Sequence, residues 1–234
     1  MFSWARRAPE ETVIEWAYED LPSPSTHEEM KAVAHQESQC RLEWIKSNDG
    51  WQLFCEMEGG IVIEQREVPG SSIHLIRARG VLKQIDLDKM FHDQLHGGIA
   101  VRKQLSTDIL AHEMLTKLDD GSTYVSYSAY STPLGVSNRE FVTMRHHQVC
   151  EDGSHLITIQ SVNHEKKPFT PGFVRGSTRG ARFFRPLETP GDYELILVDH
   201  VDPRGMIPGF VINQFKRKAG EAIRKVQDIY SNTL

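Results

Sequence analysis

The side chains that could do chemistry in this chain are few. His92 and His96 stand four apart on a predicted helix with Asp93 between them, a spacing that can bring two imidazoles to one metal ion. No third ligand accompanies them, and no glutamate completes a His-Glu-x-x-His frame. His146 and His147 are neighbours on a predicted strand, so they point to opposite faces and cannot share a ligand. Gly70-Ser71-Ser72 and Gly176-Ser177 lack the Gly-x-Ser-x-Gly pattern of a nucleophile elbow. There is no phosphate-binding glycine loop and no Cys-x-x-Cys. We therefore expect no catalytic residue, no metal and no cofactor. Arg145 is the charge that needs explaining. It lies in a predicted strand, Glu140 to Val149, where alternation puts Phe141, Thr143, Arg145, His147 and Val149 on one face. A guanidinium on that mostly uncharged face needs an anionic partner or several acceptors. If Val142 and Met144 point inward instead, Arg145 is an ordinary solvated arginine. Alternation alone leaves the two orientations equally open.

The elements that must position these residues follow from turn signals and periodicity. Thr26-His27-Glu28-Glu29 is a capping-box pattern and starts a helix to about Lys46. Strands are predicted at Trp51 to Glu58 and Ile61 to Val68 around Gly59-Gly60, then at Ile73 to Leu82. A helical piece from about Asp86 to Leu95 is closed by Gly97-Gly98. Strands resume at Asp108 to Leu118, Thr123 to Ser131, Glu140 to Val149 and Ser154 to Asn163, and a further pair flanks Leu187 to Asp192. After the turn Asp202-Pro203-Arg204-Gly205, a long helix from about Ile207 carries one apolar stripe: Val211, Phe215, Ala219, Ala222, Val226 and Ile229. Strands and helices do not alternate, which argues against a doubly wound parallel sheet. The order predicts an α+β helix-grip fold: a curved antiparallel sheet wrapped around the C-terminal helix, with an internal tunnel for a ligand. Residues 1–25 read as a leader and linker with room for a short helix, and 26–234 as the domain. Trp4 and Trp16 fall in the leader.

Bulk composition narrows the partners. The chain has 234 residues, 39% hydrophobic and 25% charged, with a net charge of -5. That balance argues against nucleic-acid binding, which favours a basic domain. No run approaches the roughly 18 apolar residues of a membrane span, and the first 20 residues lack the apolar block of a secretory signal. Cys40, Cys55 and Cys150 are scattered and odd in number, which suits reduced thiols in the cytoplasm.

Three segments, in order, resemble the START domain, the StAR-related lipid-transfer family. Pro133-Leu134-Gly135-Val136-Ser137-Asn138-Arg139-Glu140-Phe141-Val142-Thr143-Met144-Arg145 is similar to that family's loop and following strand, and in this stretch to its phosphatidylcholine transfer protein. Ser161-Val162-Asn163-His164 and Gly172-Phe173-Val174-Arg175-Gly176 are similar to a strand end and the next strand start. Asp202-Pro203-Arg204-Gly205-Met206-Ile207-Pro208 with Val211-Ile212-Asn213 is similar to the entry into the last helix. The likeness covers roughly residues 30 to 232. One departure is clear: where the family has Arg-x-x-Trp-Asp, this chain has Arg102-Lys103-Gln104-Leu105-Ser106.

The resemblance implies a monomer that holds one lipid and moves it between membranes. A glycerophospholipid is the first expectation, with sterol and ceramide as alternatives. It turns Arg145 inward, where its fork binds a phosphate bidentately or orients a hydroxyl. Arg175 has a similar claim, and Thr143, Phe141, His147, Phe215 and Val211 complete the expected lipid contacts. Pro133, Leu134, Gly135 and Val136 are the expected lid over the mouth, with Arg139 holding the loop in shape. Lys216, Arg217, Lys218, Arg224 and Lys225 are expected to dock transiently on a membrane surface, each worth about 1 kcal/mol near anionic headgroups. Two rivals remain. One is a sensing or scaffold module that binds lipid without transfer. The other is a helix-grip cyclase or hydrolase, which needs His147, Glu113 or Asp199 to converge in the cavity.

Overall fold

The computed structural model describes residues 21–133, 135–205, 207 and 209–232, with the backbone alone for 209–215. The expected leader helix, Trp4 and Trp16 lie outside the described residues, as does Leu134. The first helix, α1, is His27–Lys46. Its capping box forms as the sequence indicates. Thr26 Oγ1 accepts the Glu29 N–H at 3.2 Å, and the Glu29 carboxylate accepts the Thr26 N–H at 3.1 Å. Such a cap stabilises a helix by about 1 kcal/mol. The stretch before it is not a loose linker. Leu21 is buried, and Asn163 donates its backbone N–H to the Pro22 carbonyl at 2.8 Å.

Three strands follow: β1 Gln52–Met57, β2 Ile61–Arg66 and β3 Leu75–Leu82. Gly59 and Gly60 sit at φ +85° and +72°, a conformation that glycine adopts without a Cβ clash. The helical insert has two helices rather than one: α2 Leu87–His96 and α3 Gly98–Leu105. Gly97 caps the first as expected. Gly98, at φ +55°, then turns the chain into a second helix, where the sequence suggested a stop. Seven strands come next: β4 Ile109–Lys117, β5 Thr123–Tyr130, β6 Asn138–Val149, β7 His155–Ser161, β8 Phe173–Arg175, β9 Ser177–Pro186 and β10 Tyr193–Asp202. The chain closes with α4, Gly209–Tyr230.

The strands form one sheet in the order β1-β2-β3-β10-β9-β7-β6-β5-β4, and short β8 pairs in parallel with the start of β6. Burial separates its two faces. On the outer face α1 packs Met30 and Ala34 among Val125, Val142 and Met144, and Trp44 and Ile45 join Leu156, Phe183, Ile196 and Val198. On the inner face Ile223 and Tyr230 of α4 pack among Ile61, Ile63, Ala78, Leu82 and Leu195, with Ala219, Ala222, Val226 and Ile229 against them. This is the helix-grip arrangement. Two glycines set its closeness. A Cβ at Gly80 would stand 3.1 Å from Ile223 Cγ2, and one at Gly220 would stand 2.4 Å from Met57 Sδ. Gly220 costs a helix interior about 1 kcal/mol against alanine; close packing on β1 and β2 is what it makes possible.

The glycine turn into α4 is also built as read. Asp202 Oδ1 accepts the Arg204 N–H at 2.8 Å, and Arg204 and Gly205 both take positive φ, 52° and 69°.

Candidate functional site

The register of β6 settles the orientation that alternation left open. Val142 and Met144 are only 1% and 2% exposed beneath α1, so Phe141, Thr143, Arg145 and His147 face inward. Cross-strand pairing sets Ser128, Ser126 and Tyr124 of β5 opposite Phe141, Thr143 and Arg145. A cavity of about 240 Å³ opens over this floor, between the sheet and α4, lined in part by Ser128, Phe141, Thr143, Arg145 and Thr178. A second, of about 230 Å³, adjoins it, with apolar walls from Ile73, Ile76, Leu197, Ala219 and Ala222. Both are lined by Arg182, Asp199, Val201, Pro203 and Lys218, so they are two lobes of one hollow. One lobe is rich in hydroxyls and guanidinium, the other in hydrocarbon.

The charges in the polar lobe divide into satisfied and unsatisfied. Arg182 Nη1 donates to Asp199 Oδ1 at 2.7 Å, an internal ion pair. Gly180 leaves room for that carboxylate, since a Cβ there would lie 2.0 Å from Asp199 Oδ1. Arg145 has no such partner, and its Nε is buried without a hydrogen bond. Arg102 of α3 is close enough to feel its charge but lines neither lobe. Arg102 is 8% exposed, donates from Nη2 to the Gln94 carbonyl at 2.7 Å, and leaves its Nε equally unsatisfied. Burial and then the nearby Arg145 charge hold the Arg102 pKa below the ordinary guanidinium value. His112 lies beside both, with Nδ1 3.0 Å from Ser128 Oγ. Burial, then the charges of Arg102 and Arg145, push its pKa down to about 4. Among the described residues neither arginine forms an ion pair. A buried donor without an acceptor costs about 1–3 kcal/mol, more when it is charged. The lobe is therefore prepared for an anion.

His147 also faces inward but touches neither lobe. Its Nε2 is 3.0 Å from His155 Nδ1, and its ring lies 4.2 Å from the Phe91 ring of α2. Burial, then the neighbouring His155 and His146, push its pKa down to about 4. His112 and His147 thus bind their protons less readily folded than unfolded, where the pKa is about 6.5. Their contribution to stability is complete above pH 6.5 and is lost as pH falls towards 4. Thermal midpoints measured across that window should drop with acid, and a His112→Gln/His147→Leu protein should show a shallower drop.

The mouth is framed by two tied segments. Thr132 Oγ1 donates to the Val136 carbonyl at 2.6 Å, Gly135 sits at φ +88°, and Pro133 is exposed. Arg139 Nε donates to the Pro203 carbonyl at 2.7 Å and Nη2 to the Arg204 carbonyl at 2.8 Å, and the same guanidinium donates to the Ser137 carbonyl. It therefore fastens the loop after β5 to the turn before α4. Ser131 and Thr132 of that loop, with Pro203, line the polar lobe.

Several expected positions are elsewhere. Arg175 lines neither lobe. Its Nε donates to Glu140 Oε1 at 3.0 Å on the outer side of the sheet, and its Nη2 donates to the carbonyls of Lys167 and Pro168. Parallel pairing of β8 with β6 puts Arg175 directly opposite Glu140, which is why it points away from the cavity. The five helix cations do not form one basic surface. Lys218 pairs with Asp108 at the cavity, Lys216 donates to Gln65 at 2.8 Å, Arg224 to the Glu58 carbonyl at 3.0 Å and Lys225 to the Leu105 carbonyl at 3.0 Å. Arg217 alone of the five is exposed with none of these bonds. The expected contacts of Val211 and Phe215 concern side chains outside the described residues. The groups an enzyme would need do not converge: Asp199 is held by Arg182, Glu113 by Lys167, and His147 by His155 and Phe91. No cluster of three or more metal-ligating side chains occurs among the described residues.

Arg102 and Arg182 were missed from sequence although both had a signal. Arg102 opens the segment Arg102 to Ser106 that departs from the resembled pattern. Arg182 follows from alternation along β9, once Thr178 and Gly180 are read as inward.

A family model described as START domain matches residues 34–226. START domain-containing protein 10 of Mus musculus and of Homo sapiens is 24% identical over 178 residues, 76% of this chain. The chain spans 60% of the length of those relatives. Among solved structures, human StAR-related lipid transfer protein 5 superposes with a TM-score of 0.75 at 22% identity, covering 87% of this chain and 97% of that one. A STAR-related lipid transfer protein from Xanthomonas axonopodis gives a TM-score of 0.64 at 26% identity, over 77% of this chain and 98% of its own.

Proposed function

The chain belongs to the START domain family, and we propose that it binds one glycerophospholipid in the two-lobed hollow and carries it between membranes. The observation that carries this reading is two neighbouring guanidiniums, half-buried Arg145 on the polar lobe and buried Arg102 near it, each with an unsatisfied Nε and no carboxylate. A phosphodiester supplies the charge and the acceptors that this corner lacks. The adjoining lobe of Ile73, Ile76, Leu197, Ala219 and Ala222 takes hydrocarbon. The acyl chains explain why a carrier is needed. At about 0.8 kcal/mol for each methylene exposed to water, a two-chain lipid does not cross the aqueous phase at a useful rate unaided.

Exchange then requires the mouth to open at a bilayer. The segments around Pro133 to Val136 and Pro203 to Gly205 are the moving parts, and Arg139 and the Lys218–Asp108 pair hold them shut between visits. The protein acts in this reading as a cytoplasmic monomer with transient membrane contact, not as an enzyme. No described helix is long and apolar enough to cross a membrane.

Native mass spectrometry of the full chain purified from its own cells tests the ligand. The expected result is one phosphate-bearing diacyl lipid per chain. A sterol or a ceramide as the sole bound species would overturn the headgroup assignment.

A further inference from the structure

The walls of the polar lobe hold their charges unequally. Among the described lining residues Arg139, Arg145, Arg182 and Lys218 are cationic, and Asp108 and Asp199 are the only carboxylates. Both carboxylates are engaged. Asp199 Oδ1 accepts from Arg182 Nη1 at 2.7 Å, and Asp108 pairs with Lys218. Arg145 has no ion-pair partner among the described residues. Arg102, near enough to feel its charge, is a second guanidinium with an unmet Nε. The cross-strand neighbour of Arg145, Tyr124, is buried with an Oη that makes no hydrogen bond. The unmet groups of this corner are therefore two guanidinium N–H donors and a hydroxyl. No lining carboxylate is left over for a cation.

A headgroup that carries an ammonium asks for different walls. It needs a free carboxylate or a box of open aromatic faces. The rings that line the lobe, Tyr130 and Phe141, pack edge to face on each other, with centroids 6.0 Å apart and planes at 75°. A choline or ethanolamine would bring its positive charge among guanidiniums in a partly buried site, where screening is weak. A neutral polyol meets better partners. Thr143 and Thr178 line the lobe, and a hydroxyl both donates and accepts. We infer that the hollow selects an anionic glycerophospholipid whose phosphodiester carries an uncharged polyol, glycerol or inositol in type, over choline and ethanolamine lipids. The phosphate lies on Arg145 and the polyol on the threonine hydroxyls. This selectivity rests on the reading of the hollow as a phospholipid site and narrows its ligand to one charge class.

In the test, the full chain meets vesicles that contain phosphatidylglycerol and phosphatidylcholine in equal amounts with identical acyl chains. Both lipids share one bilayer, so the charge of the vesicle surface acts on the uptake of both alike. The protein is then recovered, and its bound lipid is read by native mass spectrometry. Wild type should hold phosphatidylglycerol over phosphatidylcholine by about tenfold. Arg145→Gln keeps a polar side chain but removes the charge, and should bring the ratio towards one. Arg182→Gln releases Asp199 and should move the ratio the same way, by freeing a carboxylate for an ammonium. Lys31→Gln removes an exposed charge of α1, on the other side of the sheet, and should leave the ratio unchanged. If an arginine variant does not fold, the wild-type ratio still decides. A wild-type ratio of one or below, or a ratio that neither folded arginine variant moves, overturns the selectivity; bound phospholipid in those samples leaves the carrier reading standing. Wild type recovered with no phospholipid at all overturns the carrier reading, and the selectivity with it.

Discussion

Glu140→Leu is expected to cost about 3–5 kcal/mol of folding stability, the largest single effect this chain offers. Glu140 is 0% exposed and accepts from Tyr127 Oη at 3.0 Å, from the Thr170 N–H at 3.1 Å and from Arg175 Nε at 3.0 Å. Removing it leaves the Arg175 guanidinium buried without its counter-charge, and leaves Tyr127 and Thr170 without an acceptor. Arg175→Met alone should also destabilise. The double variant should recover part of the loss, because replacing both partners of a buried pair with apolar groups removes the uncompensated charge. Chemical denaturation of the four proteins measures this. Additive losses in the double variant would show that the pair is not coupled. The same pair links to acid. Burial raises the Glu140 pKa, but the bonds from Thr170 and the Arg175 charge outweigh it, and the net displacement is downward. Its stabilisation is therefore complete above the unfolded carboxyl value and is lost as pH falls through the lower folded one.

Arg145→Leu should do the reverse to stability and the worst to ligand binding. Its Nε is buried without a bond, so a leucine in its place relieves an unmet donor and should raise the thermal midpoint of the empty protein. Charge-assisted hydrogen bonds contribute about 1.5–3 kcal/mol, so lost phosphate contacts should weaken glycerophospholipid retention roughly 10- to 150-fold. Uptake of a phosphate-free diacylglycerol should be nearly unchanged. The contrast separates headgroup recognition from general damage to the cavity. Equal loss of both lipids, or a lower midpoint, would count against Arg145 as the anchor. This opposition between stability and ligand binding is what a prepared binding site predicts.

Arg145 and Arg175 show how far sequence reaches. Both are arginines in strands of the same sheet, and both carried the same expectation. Arg145 enters the cavity because Val142 and Met144 are claimed by α1, an element more than a hundred residues away in the chain. Arg175 turns outward because β8 joins β6 in parallel, opposite Glu140. Alternation fixes which residues share a face, but not which face looks inward. The acceptors of the α4 cations were hidden for a related reason. Their spacing reads as a solvated stripe, yet Lys218 meets Asp108 and Lys216 meets Gln65 only once α4 lies across the sheet.

Local chemistry was enough for many boundaries, though not for the second helix that starts at Gly98. The Thr26 cap, the glycine turns, the Asp202 to Gly205 corner and the apolar period of the last helix depend on neighbours within a few residues, so the chain states them directly. Where charge finds its counter-charge was decided by the tertiary structure. Arg182 with Asp199, Arg175 with Glu140, and Arg102 and Arg145 left waiting together all depend on strand order and on the closeness that Gly80 and Gly220 allow between helix and sheet. Coulomb and hydrogen-bond partners are set by distance in space, and a linear sequence does not carry that distance.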